Sequence, residues 1–362
     1  MIGGYITHYF KTKAHNEMEI RAPNSKKLSL REPGDITAYC KKFKPDFIIN
    51  SAIASIDSDP ELTLQVNYLG SINLARVAVS LNIPYIYIST AATLPPGENL
   101  TEEDHLPLNQ ALSNYAKSKL MTELTLRHMH ETQGLDYTII RMAIVYGEHD
   151  HKIQGVQRLL FSIVDDSMPF LLTKKGVRHS YSNANKLPCF VHHIIENRKE
   201  FSGQLFNFVD PEPVELHKLI LKIKALVSAK SPREIYIPYP VAKLGKNFMN
   251  WLFKYLSGIG VKARLPAELM FLDSFYRTQT LSAEKLKKSS FTDPNPEASI
   301  YTELPAIIQY YLTRWEHLNL IPSLAENFFS PEEEMAEQFL RTPGELMNKM
   351  HREHIGPLSD LH

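Results

Sequence analysis

Pro84-Tyr85-Ile86-Tyr87-Ile88-Ser89-Thr90 is a proline, four β-favouring residues and two hydroxyls. β-branched and aromatic residues in an unbroken run of this length read as a buried strand. Upstream, Pro45 opens Asp46-Phe47-Ile48-Ile49-Asn50, a second short apolar run of the same kind. Between the two, Leu62, Val66, Leu69, Ile72, Ala75 and Val79 recur at steps of three and four, as on one side of a helix. Downstream, residues 112–131 repeat the helical pattern, followed by Asp136-Tyr137-Thr138-Ile139-Ile140-Arg141 and, later, Leu205-Phe206-Asn207-Phe208-Val209 as strands. Strand, helix and strand in alternation predict a parallel sheet joined by crossover helices over residues 1–210. A further strand is predicted near Glu17-Met18-Glu19-Ile20. Beyond residue 210 the strand signal thins, and 211–320 reads as mostly helical, broken by Pro238, Pro240, Pro266 and Pro305. Residues 321–362 form a helical tail with starts at Ser330-Pro331-Glu332-Glu333 and Thr342-Pro343-Gly344-Glu345, each with a hydroxyl cap, proline in the first turn and glutamate at the capping-box position.

Composition narrows the function. The 362 residues are 43% hydrophobic and 22% charged, with 40 basic and 40 acidic side chains. A nucleic-acid binder normally carries a basic excess, so the zero balance argues against one. Two cysteines, Cys40 and Cys189, make neither a disulfide framework nor a four-cysteine zinc site, and fit a reducing, cytoplasmic setting. No apolar run approaches the ~20 residues that span a bilayer, and no signal peptide opens the chain.

The candidate chemistry lies in Tyr115-Ala116-Lys117-Ser118-Lys119. Residues four apart share a helix face. An ammonium beside a phenol favours the phenolate, so Lys119 is expected to lower the Tyr115 pKa and let it exchange a proton with a substrate oxygen. Tyr9–Lys13 and Tyr239–Lys243 share the spacing, but the first has no strand-end hydroxyl before it and Pro240 disfavours a helix at the second. Only Tyr115 follows a strand ending in hydroxyls, where open α/β sheets place their ligands.

With these residues together, the chain resembles the extended short-chain dehydrogenase/reductases, also called the NAD-dependent epimerase/dehydratase family. Pro45–Ala52 is similar to that family's fourth strand and following turn, Asn67–Leu74 to its asparagine-containing helix, and Arg141–Gly147 to the strand after the catalytic helix. The resemblance covers residues 1–210 well and 211–320 loosely. It implies a Rossmann-type doubly wound domain over 1–210, a smaller helical substrate region over 211–320, and NAD or NADP as cofactor. It assigns Tyr115 as acid/base, Thr90 as the hydroxyl that binds the substrate oxygen, and Lys119 as holding the nicotinamide ribose. It assigns Asn67 to helix geometry and Ser51 and Ala52 to the adenosine side. Nucleotide sugars are the first substrate class. Ile235–Lys287 is loosely similar to the 3β-hydroxysteroid dehydrogenase branch, which keeps a hydrophobic alcohol as the alternative. Dehydratases usually add an acidic residue beside the hydroxyl; here Ala91-Ala92-Thr93 follows, which favours oxidoreduction or epimerisation. Relatives often dimerise through the two long helices, so a homodimer stays open.

The pattern departs at the start. Family members open with a strand and a glycine-rich turn that cradles the pyrophosphate. Gly4-Tyr5-Ile6-Thr7 matches only the end of that turn, so the first strand is expected to be missing and Met1 to lie downstream of a longer start; a degenerate, non-catalytic cofactor-sensing or scaffold protein is the competing reading. Arg21 closes the second strand, where arginine accepts the 2′-phosphate of NADP and gives a slight lean to that cofactor. His149-Asp150-His151 reads as a substrate contact or a solvated loop rather than a metal site. Residues 248–256 are aromatic-rich with Lys243, Lys246, Lys254 and Lys262 nearby; the packed cap of the substrate region is the plainer reading, and weak membrane-surface contact the other.

Overall fold

The computed structural model describes residues 1–14, 18–56, 58–150, 155–164, 173–227, 236–258, 272–318, 320–321 and 342–352. The helices are α1 (Ile2–Thr12), α2 (Pro33–Phe43), α3 (Pro60–Thr63), α4 (Gly70–Leu81), α5 (Asn114–Gln133), α6 (Gly155–Val164), α7 (Leu187–Glu196), α8 (Arg198–Phe201), α9 (Leu216–Leu226) and α10 (Tyr239–Gly258), followed by Leu272–Phe275, Glu284–Lys287, Ile300–His317 and Pro343–Arg352. The strands are β1 (Ile48–Asn50), β2 (Tyr85–Thr90), β3 (Gly97–Leu100), β4 (Tyr137–Met142), β5 (Ile144–Tyr146), β6 (Arg178–His179), β7 (Tyr181–Asn183), β8 (Gln204–Phe208), β9 (Val214–Glu215) and β10 (Gln279–Leu281).

The central sheet runs β1-β2-β4-β8, all parallel, with Ile88 opposite Ile140 and Ile140 opposite Phe206. Alternate residues serve opposite faces. Tyr85, Tyr87, Tyr137, Ile139 and Leu205 pack with Ile36 and Cys40 of α2, Ile72 and Ala75 of α4, and Leu126 and Met129 of α5. Ile86, Ile88, Ile140, Met142, Phe206 and Phe208 pack with Ile6 and Phe10 of α1 and Phe190, Val191 and Ile194 of α7. Strands buried on both faces between helical layers are what a doubly wound α/β fold requires, and the unbroken apolar runs of the sequence supply them. The sheet is a Rossmann-type doubly wound sheet.

Two expectations are corrected, on Met18–Ile20 and on the helix at Tyr239. Met18–Ile20 is not a strand; Met18 and Ile20 pack side-on against the α1–α7 core instead. A parallel strand exists only beside a partner, and among the described residues β1 has a neighbour on one side only. The described part of 211–320 is mostly helical and adds two short strands: β10 lies between β3 and β6, and β9 pairs antiparallel with β6 in a second, four-stranded sheet. Helix α10 begins at Tyr239 with Pro240 in its first turn, a place where proline's missing N–H costs nothing.

The chain divides into two compact units, Met1–Pro305 and Ala306–His362. The first holds all three sheets of the described residues, the third being the parallel pair β5-β7. In the second, a helix starts at Pro343, at the Thr342-Pro343 signal, whereas Ser330-Pro331 falls outside the described residues. No described helix is long and apolar enough to cross a membrane.

Candidate active site

Thr90 ends β2 and caps the short turn Ala91–Thr93, its Oγ1 accepting from the Ala92 N–H at 3.2 Å. Tyr115 lies in the first turn of α5, whose N-cap Ser113 accepts from Ala116 N at 3.1 Å. The Thr90 hydroxyl lies close enough to the Tyr115 phenol to oppose the rise in its pKa that burial causes. Two residues 25 positions apart in sequence thus meet at the carboxyl end of the sheet, the crevice where open α/β sheets bind ligands.

Lys119 is one turn further along α5. It is buried, its Nζ donates to the Ile88 carbonyl at 2.8 Å, and it sits 4.5 Å from the centre of the Tyr87 ring. Burial lowers its pKa to about 8, while the charge of Glu123 pulls the other way. The expectation that Lys119 lowers the Tyr115 pKa is corrected. Burial raises Tyr115, the Thr90 hydroxyl opposes that rise, and Lys119 is not among the causes.

Asn67 is buried in the π-helical turn Leu64–Leu69. Its Oδ1 accepts from Ala54 N at 2.7 Å, its Nδ2 donates to Ser118 Oγ at 3.4 Å, and its carbonyl accepts from Thr122 at 3.3 Å. One side chain therefore ties the segment after β1, which carries Ser51 and Ala52, to α5. A single π turn at a functional position is a common use of that geometry.

Gly4, Tyr5, Ile6 and Thr7, expected at the end of a phosphate-binding turn, lie within α1 itself. The first turn of α1 rests on the segment after β1: a Cβ at Gly3 would stand 2.8 Å from Ser51 Oγ, whereas one at Gly4 would meet nothing within 4 Å. The Tyr5 hydroxyl donates to the Glu148 carbonyl at 3.0 Å, beside Gly147, whose φ of 140° suits glycine. Ile6 is 3% exposed and belongs to the core. Arg21 pairs with Glu19 at 2.6 Å and lies 4.5 Å from the Phe43 ring centre. The structure thus joins Thr90 to Tyr115 and Tyr5's helix to Ser51, and leaves Ile6 and Arg21 with other partners.

The sequence reading missed a buried charge network. Arg141, on β4, meets Glu123 of α5 at 2.8 Å, and Glu123 also accepts from Ser89 Oγ at 2.5 Å. Arg141 further donates to the Glu102 carbonyl at 3.4 Å. The signal was present: an arginine inside Tyr-Thr-Ile-Ile-Arg-Met must find a buried carboxylate. An open cleft of about 500 Å³ between Glu102, Phe206, Ser282 and Lys285 includes neither Tyr115 nor Lys119. Among the described residues no group of three or more metal-ligating side chains occurs, and His151 falls outside them.

The parallel sheet is of the Rossmann type that the resemblance to the extended short-chain dehydrogenase/reductases implies. Residues 1–168, a little under half of the chain, match the NAD dependent epimerase/dehydratase family. The chain is 28% identical to methionine adenosyltransferase 2 subunit beta of Xenopus laevis over 149 residues, which are 40% of this chain and 43% of that protein. The match therefore spans less than half of that relative. It is 25% identical to GDP-L-colitose synthase of Yersinia pseudotuberculosis over 217 residues, 54% of this chain and 70% of that one. Among solved structures, UDP-glucose 4-epimerase of Thermotoga maritima with UDP-glucose superposes with a TM-score of 0.62 at 16% identity, covering 87% of this chain and 96% of the other. dTDP-glucose 4,6-dehydratase of Bacillus anthracis in complex with NAD gives 0.63 at 14%, covering 87% and 94%. At such identities the structures share the fold.

Proposed function

We propose that the protein is an NAD(P)-dependent oxidoreductase or epimerase acting on a hydroxyl or keto group of a nucleotide sugar. The observation that carries this is the closeness of Tyr115 and Thr90 at the carboxyl end of β2, with Lys119 four residues on. GDP-L-colitose synthase and the nucleotide-sugar epimerases among the similar proteins support the substrate class. The residues suit a nicotinamide cofactor at its reactive end. Tyr115 and Lys119 would hold the ribose, Ser51 and Ala52 would line the adenosine side, and the open face at Gly4 leaves room for phosphate. When bound, that group supplies or accepts the hydride.

This chain's own part is proton chemistry. Burial keeps Tyr115 protonated near neutral pH, so its hydroxyl is set to give a proton to a substrate oxygen that Thr90 also hydrogen-bonds. Asn67 fixes α5 relative to the Ser51–Ala54 segment. Arg21 is engaged by Glu19, so the choice between NAD and NADP is left to titration.

The likeness to an adenosyltransferase subunit favours a second reading, a non-catalytic partner subunit that binds the cofactor without turning over. Titration with NADH and NADPH, followed by a nucleotide-sugar screen, separates the two. Turnover abolished by Tyr115→Phe with cofactor affinity unchanged supports the enzyme. Full rate in Tyr115→Phe refutes the assigned relay, and binding without turnover on any nucleotide sugar supports the subunit.

A further inference from the structure

The open cleft of about 500 Å³ beside β8 takes no part in the chemistry proposed for Tyr115. Its charged lining comes from three segments. Glu102 follows β3, Glu200 lies on α8, and Glu284, Lys285 and Lys288 lie on or just after the short helix Glu284–Lys287, which packs on β8. Two of these charges are already engaged. The Glu200 carboxylate accepts from the Ser290 amide at 2.8 Å and from the Ser290 hydroxyl, and Glu284 pairs with Lys287 at 3.4 Å.

The other three are not. Glu102 is 7% exposed, and its Oε1 accepts from Asn207 N at 3.0 Å. Among the described residues its Oε2 has no hydrogen-bond partner and is not sealed from solvent, so it opens on the cleft. Oxygens of so buried a carboxylate are normally satisfied, and the bare one marks a place for a donor. Lys285 is half-buried, its ammonium 4.9 Å from the centre of the buried Phe206 ring, and among the described residues it makes no ion pair. Burial lowers its pKa while the charges of Glu102 and Glu103 pull the other way, as for a cation short of counter-charge. Lys288 is exposed and also makes no ion pair among the described residues.

One carboxylate oxygen and two ammonium groups thus face one cleft of a volume usual for small-molecule sites. Their complement is a ligand with one cation and two anions. We propose that this cleft binds an acidic α-amino acid of the size of aspartate or glutamate, its ammonium on Glu102 Oε2, one carboxylate on Lys285 and the other toward Lys288. The Phe206 ring holds the Lys285 ammonium in place from one side. A polyamine would set its charges against both lysines, and a plain dicarboxylate would bring no donor to Glu102. The site stands whether or not the protein turns over a nucleotide sugar.

The test is isothermal titration calorimetry of the full chain with L-glutamate and L-aspartate, against L-glutamine and glutarate. An acidic amino acid binds, less tightly at high salt. L-Glutamine lacks one anion and glutarate lacks the cation, and each binds about tenfold more weakly, the loss of one hydrogen bond to a charged group. Lys285→Gln weakens the acidic amino acid about tenfold for the same reason. Lys288→Gln, at an exposed position, leaves the thermal melt unchanged and weakens it about threefold. Glu102→Gln keeps an acceptor for Asn207 N and removes the preference for L-glutamate over glutarate. A folded chain that gives no heat with either acidic amino acid at millimolar concentration overturns the proposal. So does equal affinity for L-glutamate and glutarate in the parent protein, or unchanged affinity in Lys285→Gln.

Discussion

Replacing Lys119 with methionine should stabilise the protein at neutral pH, and by an amount that depends on pH in a calculable way. Lys119 is buried and its pKa falls from 10.5 to about 8. Keeping it charged in the folded state therefore costs roughly 3 kcal/mol relative to the unfolded chain. The folded state binds fewer protons than the unfolded one between about 8 and 10.5, so stability rises with pH across that window. The penalty is complete below pH 8, drops to about 2 kcal/mol at pH 9, and vanishes above 10.5. Methionine has a similar length and no charge, so Lys119→Met escapes the penalty. It also removes the Nζ donor from the Ile88 carbonyl, a loss of about 1–2 kcal/mol. The variant should thus be about 1–2 kcal/mol more stable at pH 7, and that advantage should shrink by roughly 1 kcal/mol at pH 9. Urea denaturation midpoints of both proteins, measured in parallel at the two pH values, read this directly. A stability gap that stays constant or widens with pH, or a variant less stable at both, would refute the assignment of Lys119 as a strained charge.

Two further outcomes follow from other buried groups. Arg141→Met leaves Glu123 buried without its cation and should cost about 3–5 kcal/mol, most of it regained in Arg141→Met with Glu123→Gln; equal loss in the single and double variants would show the pair to be unimportant. Asp210, which accepts from Tyr146 at 2.7 Å, has its pKa raised to about 6 chiefly by burial, so the stability of its protonated form is present below about 4 and lost as pH rises through 6. Asp210→Asn should be up to about 3 kcal/mol more stable than the parent at pH 7 and nearly equal to it at pH 4, by thermal melts; no convergence at low pH would exclude titration of Asp210 as the cause.

Some of this was legible because it is local. The run Tyr85–Thr90 is a strand from its own residues, and proline, apolar period and cap residues mark the helices around it. The Tyr115–Thr90 meeting was legible too, since a strand-end hydroxyl and a helix-borne tyrosine share one edge of a parallel sheet. What failed depends on partners distant in sequence. Met18–Ile20 has strand-like residues but no neighbour to pair with. Strands β6, β9 and β10 are two or three residues long, too short to show a period, and exist because they pair with each other and with β3. The sign of the Tyr115 shift was misread because spacing reports that Tyr115 and Lys119 share a helix face, not that Lys119 turns to the Ile88 carbonyl and the Tyr87 ring.

The buried charges explain how a reactive tyrosine is held still. Ser89 and Thr90 are consecutive at the end of β2; the first donates to the carboxylate of Glu123 and the second lies beside the phenol of Tyr115. Helix α5 thereby meets one strand end at two points eight residues apart, about 12 Å along its axis. Arg141 on the neighbouring strand completes the grip on Glu123. A carboxylate this deep is costly in itself, and replacing the pair with apolar side chains of the same size would be near neutral for stability. Such a replacement would free the Ser89 tie and leave α5 held near Tyr115 by Lys119 on the Ile88 carbonyl and by Asn67. The Glu123–Arg141 pair therefore acts on the proposed chemistry by position. Glu123→Gln with Arg141→Met should keep the fold and lower kcat while leaving KM for the cofactor little changed.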